Sequence, residues 1–299
     1  MRVLFATLAL ALLADAMPEP IRPFPTGLRG ELVFQSDREG PTRLYILDLA
    51  TAAIRGVGSA GDWFDEEPRW SPDGRQIAFG STRGRKGNID IFVMNADGSS
   101  VVRLTDHPSP EQGPVWAADG KSLFFTGERD GRAEIYRVWL ADKRVERMTR
   151  GFDRAIMPAA SPDGRYLAYA GQTIMNFQIH LLDLTTGVTS QITSGGGACR
   201  PSFSPDSKEL AFVRIATEPS RLEAVRVGGG RVLLEDKRLW SYYPDYSPDG
   251  TMIAFAVSPE HHQGEDWDLA VMNAHKPGHF QRLTIGRGND RVPDWRPAR

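Results

Sequence analysis

The sequence predicts an all-β fold: a six-bladed β-propeller with four antiparallel strands per blade and a ring closed by N- and C-terminal strands in one blade. Three observations predict it: a proline-centred motif that recurs, the turn that follows it, and incomplete repeats at the two ends that complete each other. The motif places a proline two positions before an aromatic or small residue. Five copies run on into a turn and an apolar strand: Pro68-Arg69-Trp70-Ser71-Pro72-Asp73-Gly74, then the segments starting at Pro114, Pro158, Pro201 and Pro244. A sixth, Pro293-Asp294-Trp295-Arg296-Pro297, stops at the C-terminus. The prolines lie 46, 44, 43, 43 and 49 residues apart. A period of about 40 to 50 residues with strand-turn-strand content marks a propeller blade.

The first elements along the chain are strands at Glu31 to Gln35, Arg43 to Asp48 and roughly Ala53 to Val57. Each later repeat opens with the strand carrying the proline. Ser-Pro-Asp-Gly follows as a turn, because Pro presets φ, Asp bonds its own backbone and Gly tolerates positive φ. A second strand is apolar (Ile77-Ala78-Phe79, Leu123-Phe124-Phe125, Leu167-Ala168-Tyr169, Leu210-Ala211-Phe212, Ile253-Ala254-Phe255). Third strands fall at Ile89 to Met94, Glu134 to Trp139, Gln178 to Asp183, Leu222 to Val227 and Asp268 to Met272. Fourth strands end at Arg103-Leu104-Thr105, Arg147-Met148-Thr149, Gln191-Ile192-Thr193 and Arg282-Leu283-Thr284. Short strands between Gly, Pro, Asn and Asp clusters argue for antiparallel sheet throughout. The sixth repeat supplies one strand, at Asp294 to Pro297, and the N-terminal region the other three, so pairing them closes the ring and removes exposed sheet edges.

Residues 1–16 lie outside this pattern. Arg2, the apolar Val3 to Leu13 and Ala14-Asp15-Ala16 have the three parts of a secretory signal peptide. The apolar run is too short to span a bilayer, which takes about 20 residues. The expected organisation is a signal peptide over 1–16, a lead-in over 17–28 and the propeller over 29–299, periplasmic or secreted and without stable membrane insertion. Thirty-six basic against thirty-eight acidic residues give a net charge of −2, which argues against electrostatic nucleic-acid binding. The single Cys199 allows no internal disulfide and reads as a small buried residue. Stability must therefore come from packing, which this length supports.

The string Pro-x-Trp-Ser-Pro-Asp-Gly-x-x-Ile-Ala-Phe resembles the TolB-type propeller repeat. So do the Ser-x-Arg loops (Ser36-Asp37-Arg38, Ser81-Thr82-Arg83), Met94-Asn95-Ala96-Asp97-Gly98 and Arg103-Leu104-Thr105. The likeness runs over roughly residues 28 to 299. Such propellers occur in the periplasmic Tol-Pal component, in prolyl-oligopeptidase-like and tricorn-like peptidases and in many exported proteins. The resemblance implies an envelope protein or peptide as partner, with a peptidoglycan-associated lipoprotein the natural candidate. It carries over neither the separate α/β domain of the Tol-Pal component nor the hydrolase domain of the peptidases.

Catalytic motifs are not found: no G-x-S-x-G elbow, no H-E-x-x-H, no paired C-x-x-C and no EF-hand loop occurs. His261-His262 with Glu265 and Asp266 forms a weak metal pattern in a polar loop. No catalytic residue, metal ligand or cofactor is therefore expected. Geometry points instead to the connections that enter the innermost strands, at the channel mouth. Three positions before the prolines stand Asp65, Glu111 and Asp290 on consecutive blades, thickened by Asp62, Glu66 and Glu67. Ala155, Ala198 and Ser241 fill the other three places. The opposite arc carries Arg154, Arg200, Tyr242 and Tyr243, with Arg291 an exception on the acidic side. The expected binding residues are Asp65, Glu111, Arg154, Arg200, Tyr242, Asp290 and Arg291, at a mouth suited to orient a peptide or sugar. Trp70, Trp116 and Trp295 are expected between blades. The expectation is a monomeric, non-catalytic binding module. A carbohydrate-active lyase or hydrolase at the mouth, and an architectural protein using blade sides, stay open.

Overall fold

In the computed structural model, the structure describes residues 25–298 except 86, 173–175, 216, 227–228, 261–263 and 287. The expected signal peptide, most of the lead-in and His261-His262 lie outside the described residues. Among the described residues, 24 strands form six separate four-stranded sheets. Blade 1 holds β4 (Asp65–Trp70), β5 (Gln76–Arg85), β6 (Asn88–Asn95) and β7 (Val102–Arg103). Blade 2 holds β8 (Glu111–Trp116), β9 (Ser122–Gly127), β10 (Glu134–Trp139) and β11 (Val145–Arg147). Blade 3 holds β12 (Arg154–Ala160), β13 (Tyr166–Gln172), β14 (Phe177–Asp183) and β15 (Thr189–Gln191). Blade 4 holds β16 (Ala198–Phe203), β17 (Glu209–Arg214), β18 (Arg221–Arg226) and β19 (Gly229–Leu234). Blade 5 holds β20 (Trp240–Tyr246), β21 (Met252–Ser258), β22 (Asp268–Asn273) and β23 (Phe280–Arg282).

Blade 6 is built from both ends of the chain, in the order β24 (Arg291–Trp295), β1 (Glu31–Ser36), β2 (Arg43–Asp48), β3 (Ile54–Val57). Leu32 faces Trp295 and Val33 faces Asp294 in an antiparallel register. The first strands pack on one another around the ring, β24 on β4, β4 on β8, and so on back to β20 on β24. This is the ring closure the sequence predicts.

The core lies between blades. Val33, Leu44 and Ile46 of blade 6 pack with Trp70, Ile77 and Phe79 of blade 1. Ala78, Ile91 and Val93 of blade 1 pack with Trp116, Leu123 and Phe125 of blade 2. Trp295 joins blades 5 and 6 in the same way. The three tryptophans are therefore inter-blade core, and Trp116 Nε1 donates to the Arg69 carbonyl of the previous blade.

The repeated polar residues hold local geometry. In the Ser-Pro-Asp turns, Ser71, Ser161, Ser204 and Ser247 donate to the aspartate two residues on, at 2.5–2.7 Å. The same hydroxyls accept the N–H of Gln76, Tyr166, Glu209 and Met252 at 2.8–2.9 Å. The serine hydroxyl is the main reason that Asp73, Asp206 and Asp249 titrate below the usual range. In the Arg-Leu-Thr motif, Thr105, Thr149, Thr193 and Thr284 accept the N–H of Ile91, Ile135, Ile179 and Leu269. A side chain thus satisfies a backbone donor beyond the reach of the short outer strand.

One irregularity recurs in every blade. The ladder between the first and second strand slips in register just before each proline. There the residue before the proline takes positive φ: Glu67 at 50°, Gly113 at 63°, Met157 at 58°, Arg200 at 52°, Tyr243 at 60° and Val292 at 54°. Five of the six are not glycine, so each stores roughly 1 kcal/mol of backbone strain. A bulge of this kind re-aims a side chain.

Candidate functional site in the central channel

The six bulged residues, Glu67, Gly113, Met157, Arg200, Tyr243 and Val292, all line one cavity of about 1010 Å³ along the ring axis. The wall continues past the inner-strand prolines to Pro72, Pro162, Pro205, Pro248 and Pro297 of the turns. Each blade thus presents one bulged residue to the channel at the same level, a side chain from five blades and the bare backbone of Gly113 from blade 2. Gln35 joins them from β1, with its Oε1 accepting the Glu67 N–H at 2.8 Å.

Charge is concentrated at this level. Arg200 of blade 4 reaches across to Glu67 of blade 1, three blades away, with Nη1 to Oε1 at 3.4 Å. Its guanidinium lies 3.9 Å from the centre of the Tyr243 ring. Beside it, Glu66 is pushed up to about 7, first by burial and then by the Glu67 charge, against the pull of Arg200. Below the prolines, Asp245 and Asp294 are half-buried on neighbouring blades. Asp245 accepts the Trp295 N–H at 2.9 Å and Asp294 accepts the Trp70 N–H at 2.6 Å, so each fastens its blade to the next. Burial raises both carboxyls, and the charge of Asp245 raises Asp294 further, to about 8, while Arg69 opposes both shifts.

Of the residues expected from sequence, Arg154, Arg200 and Arg291 line the cavity. Arg154 is exposed, whereas Arg291 lies over Trp267 and donates to the Gly264 carbonyl at 2.5 Å. Tyr242 does not line it. That ring is buried edge-on against Trp267, and its neighbour Tyr243 takes the channel position because the bulge inverts the side-chain alternation.

The acidic arc calls for a correction. Asp65, Glu111 and Asp290 are buried halves of ion pairs, not solvent-facing mouth charges. Asp65 pairs with Arg83 at 2.5 Å, Glu111 with Arg129 at 2.5 Å and Asp290 with Arg38 at 2.7 Å. Each guanidinium also lies over an aromatic pair: Phe79 and Phe92, Phe125 and Tyr136, Phe34 and Tyr45. The arginine side chain so covers the end of its blade, and the acid neutralises it where water is thin. On the other half-ring the acid is Ala155, Ala198 or Ser241, and in the blades of Ala155 and Ser241 aromatic rings fill the space. Phe152 packs against Tyr169 and His180, and Trp267 against Tyr242.

The sequence carried a signal for both arrangements. Arginine four residues after Phe34, Phe79 and Phe125 recurs only on blades with an acid three before the proline. No comparable signal separates the inward-aimed position −1 from its neighbours. Among the described residues, no group of three or more His, Cys, Asp or Glu is placed to hold a metal ion. Cys199 is buried, and burial pushes its thiol up to about 11, which keeps it protonated and inert.

A closed ring of six four-stranded blades around a charged axial cavity defines a six-bladed β-propeller. The sequence matches the TolB beta propeller domain over residues 25–235. The chain belongs to that family. It is 29% identical over 271 residues to an uncharacterised protein of Agrobacterium fabrum, covering 85% of this chain and 88% of that protein. It is 26% identical over 203 residues to the Tol-Pal system protein TolB of Francisella tularensis, covering 66% of this chain and 46% of that one. The chain thus spans about half the length of the Tol-Pal relatives it matches. The structure of TolB from Acinetobacter baumannii superimposes with a TM-score of 0.75 at 23% identity, covering 93% of this chain and 69% of that one. An oligogalacturonate lyase from Vibrio parahaemolyticus shares the fold alone, at TM-score 0.55 and 13% identity, covering 87% of this chain and 74% of the lyase.

Proposed function

We propose that this chain is an exported, non-catalytic propeller module of the bacterial envelope that binds a protein or peptide at its channel. A peptidoglycan-associated lipoprotein is the first candidate partner. The observation that carries this reading is the ring of bulged residues, one from every blade, that lines one axial cavity. Strain maintained at five of six equivalent places is expected at a recognition site. Kinship with the Tol-Pal proteins supports the envelope setting and the class of partner. Arg154, Arg200, Arg291 and Tyr243 are the contact residues in this proposal; Asp65, Glu111 and Asp290 hold the strand entries, and Tyr242 backs Tyr243.

The test is direct binding of a purified soluble peptidoglycan-associated lipoprotein to the mature chain. Arg200→Ala and Tyr243→Ala should each weaken binding about tenfold, since Arg and Tyr are favoured anchors in desolvated contacts. The triple change Arg75, Lys121 and Arg165 to Glu, on the Ser-Pro-Asp face, should leave it unchanged. Equal binding by all of these proteins would move the site to the blade sides. Expression in a bacterium with an envelope should yield a soluble product beginning at Met17, and N-terminal sequencing that finds Met1 on a cytoplasmic product would end the export reading.

One observation favours an enzyme as second reading: Glu66, Asp245 and Asp294 are carboxyls raised toward neutrality beside a single cavity, as in sites for general acid chemistry. Against it, Asp245 and Asp294 already serve as fasteners between blades. Cleavage of acidic oligosaccharides that disappears in Glu66→Gln would establish the enzyme.

A further inference from the structure

We propose that Arg200 is a receptor for a single carboxylate entering the channel, and that Glu67 occupies it in the free protein as an internal stand-in. This deepens, and rests on, the reading of the channel as a ligand site.

The geometry of Arg200 is that of an arginine held ready but poorly paired. Its bulged backbone aims it at the axis, and the face of its guanidinium rests on Tyr243 at 3.9 Å. Stacking leaves the N–H edge of the fork, where a carboxylate binds in plane, turned away from the ring. Glu67 meets that edge with one contact at 3.4 Å. Arg–carboxylate bonds at full strength are about 2.7–2.9 Å and often bidentate, and this chain makes such bonds elsewhere: Arg38 reaches both oxygens of Asp290 at 2.7 Å. The cross-channel pair is therefore a weak version of a contact the same residue types make well. Both side chains are about one-fifth exposed, 20% and 21%, so a ligand can reach them.

The fork of Arg200 selects the ligand. A carboxylate offers two coplanar oxygens that match a guanidinium edge, while the rest of the cavity wall carries both signs of charge, Arg69, Arg154 and Arg291 against Glu66, Asp245 and Asp294. A carboxylate that bonds Arg200 through both oxygens displaces Glu67 into open channel beside Gln35. A peptide C-terminus, or an aspartate or glutamate on a partner's loop, has this chemistry.

The experiment is calorimetric titration of the mature protein with N-acetyl-trialanine bearing a free C-terminal carboxylate, and with its C-terminal amide. The acid should bind, and the amide about tenfold more weakly, because a charge-assisted bond is lost. Arg200→Met should lose about tenfold for the acid alone. Glu67→Gln, which removes the competitor, should bind the acid about threefold more tightly. Arg165→Glu should match the wild type. Thermal unfolding checks that each variant folds; should Arg200→Met not fold, Glu67→Gln carries the decision. Equal binding of acid and amide, no binding of either, or a Glu67→Gln protein that binds no better would overturn the receptor. If the probes follow the expected order but no envelope protein is captured, the receptor stands and the partner reading fails. If an envelope protein is captured with an affinity that ignores both substitutions, the receptor is overturned and the partner reading stands.

Discussion

A carboxylate's consequences depend on what surrounds it, and this chain shows both extremes. Asp65 has lost its water but has Arg83 at 2.5 Å, the Ser81 hydroxyl at 2.5 Å and three rings, Trp63, Phe79 and Phe92, around the guanidinium. Asp65→Ala leaves Arg83 charged and only 12% exposed, and should cost about 3 kcal/mol in denaturant unfolding. The double change Asp65→Ala with Arg83→Met should recover part of that loss. Asp294 is the opposite case, raised to about 8 by burial and by Asp245. Between the unfolded value of about 3.9 and that raised value, the folded state holds a proton the unfolded state has released. Stability should therefore fall as pH rises from about 4 to 8. Asp294→Asn keeps an acceptor for Trp70 and should flatten that fall, as read by melting temperature across the same range; an unchanged profile would count against the assignment. The identity of these residues was legible in the sequence, but their environment was not. Whether an acid three before a proline meets water or an arginine depends on packing that spacing alone does not encode.

At the level of the element, the Ser-Pro-Asp turn is a small bonded unit, and blade 2 departs from it. Ala117 stands where the serine belongs, and its turn keeps the backbone bonds of Ala117 N to Ser122 O and Gly120 N to Ala117 O at 2.9 Å. Asp119 still accepts the Lys121 N–H. Ala117→Ser should supply the missing hydroxyl to Asp119 and to the Ser122 N–H, and stabilise the protein by about 1 kcal/mol. Ser161→Ala should cost a similar amount in blade 3; both are measured as shifts in the denaturant midpoint. The strands and turns were legible because proline, Asp-Gly and alternating apolar runs act locally. The bulge was not. A residue before a proline is normally extended, and nothing in Glu67 or Met157 announces positive φ. Only the ring places all six together, and that one-residue inversion is why Tyr243 and not Tyr242 meets the channel.

For the whole molecule, the last few residues carry weight out of proportion to their number. β24 pairs with β1, Trp295 sits in the core between blades 5 and 6, Asp294 holds Trp70, and Arg296 is bonded to Glu31 and to the Gly74 carbonyl. Deleting Pro293 to Arg299 should open the ring at one seam, bare two sheet edges and turn a single cooperative unfolding transition into aggregation or a broad one. Unchanged calorimetric unfolding after this truncation would contradict closure by the termini. The bulges have a consequence of a different order. Each blade writes one character into the channel, and the six together spell Glu, Gly, Met, Arg, Tyr, Val. The backbone that presents each character is fixed by its own blade. Met157 and Tyr243 also pack against the core, and Val292 is buried, whereas Glu67 and Arg200 stand part-exposed in the channel. Those two are therefore the characters most open to rewriting, and two propellers with the same scaffold could answer to different ligands by an edit at either.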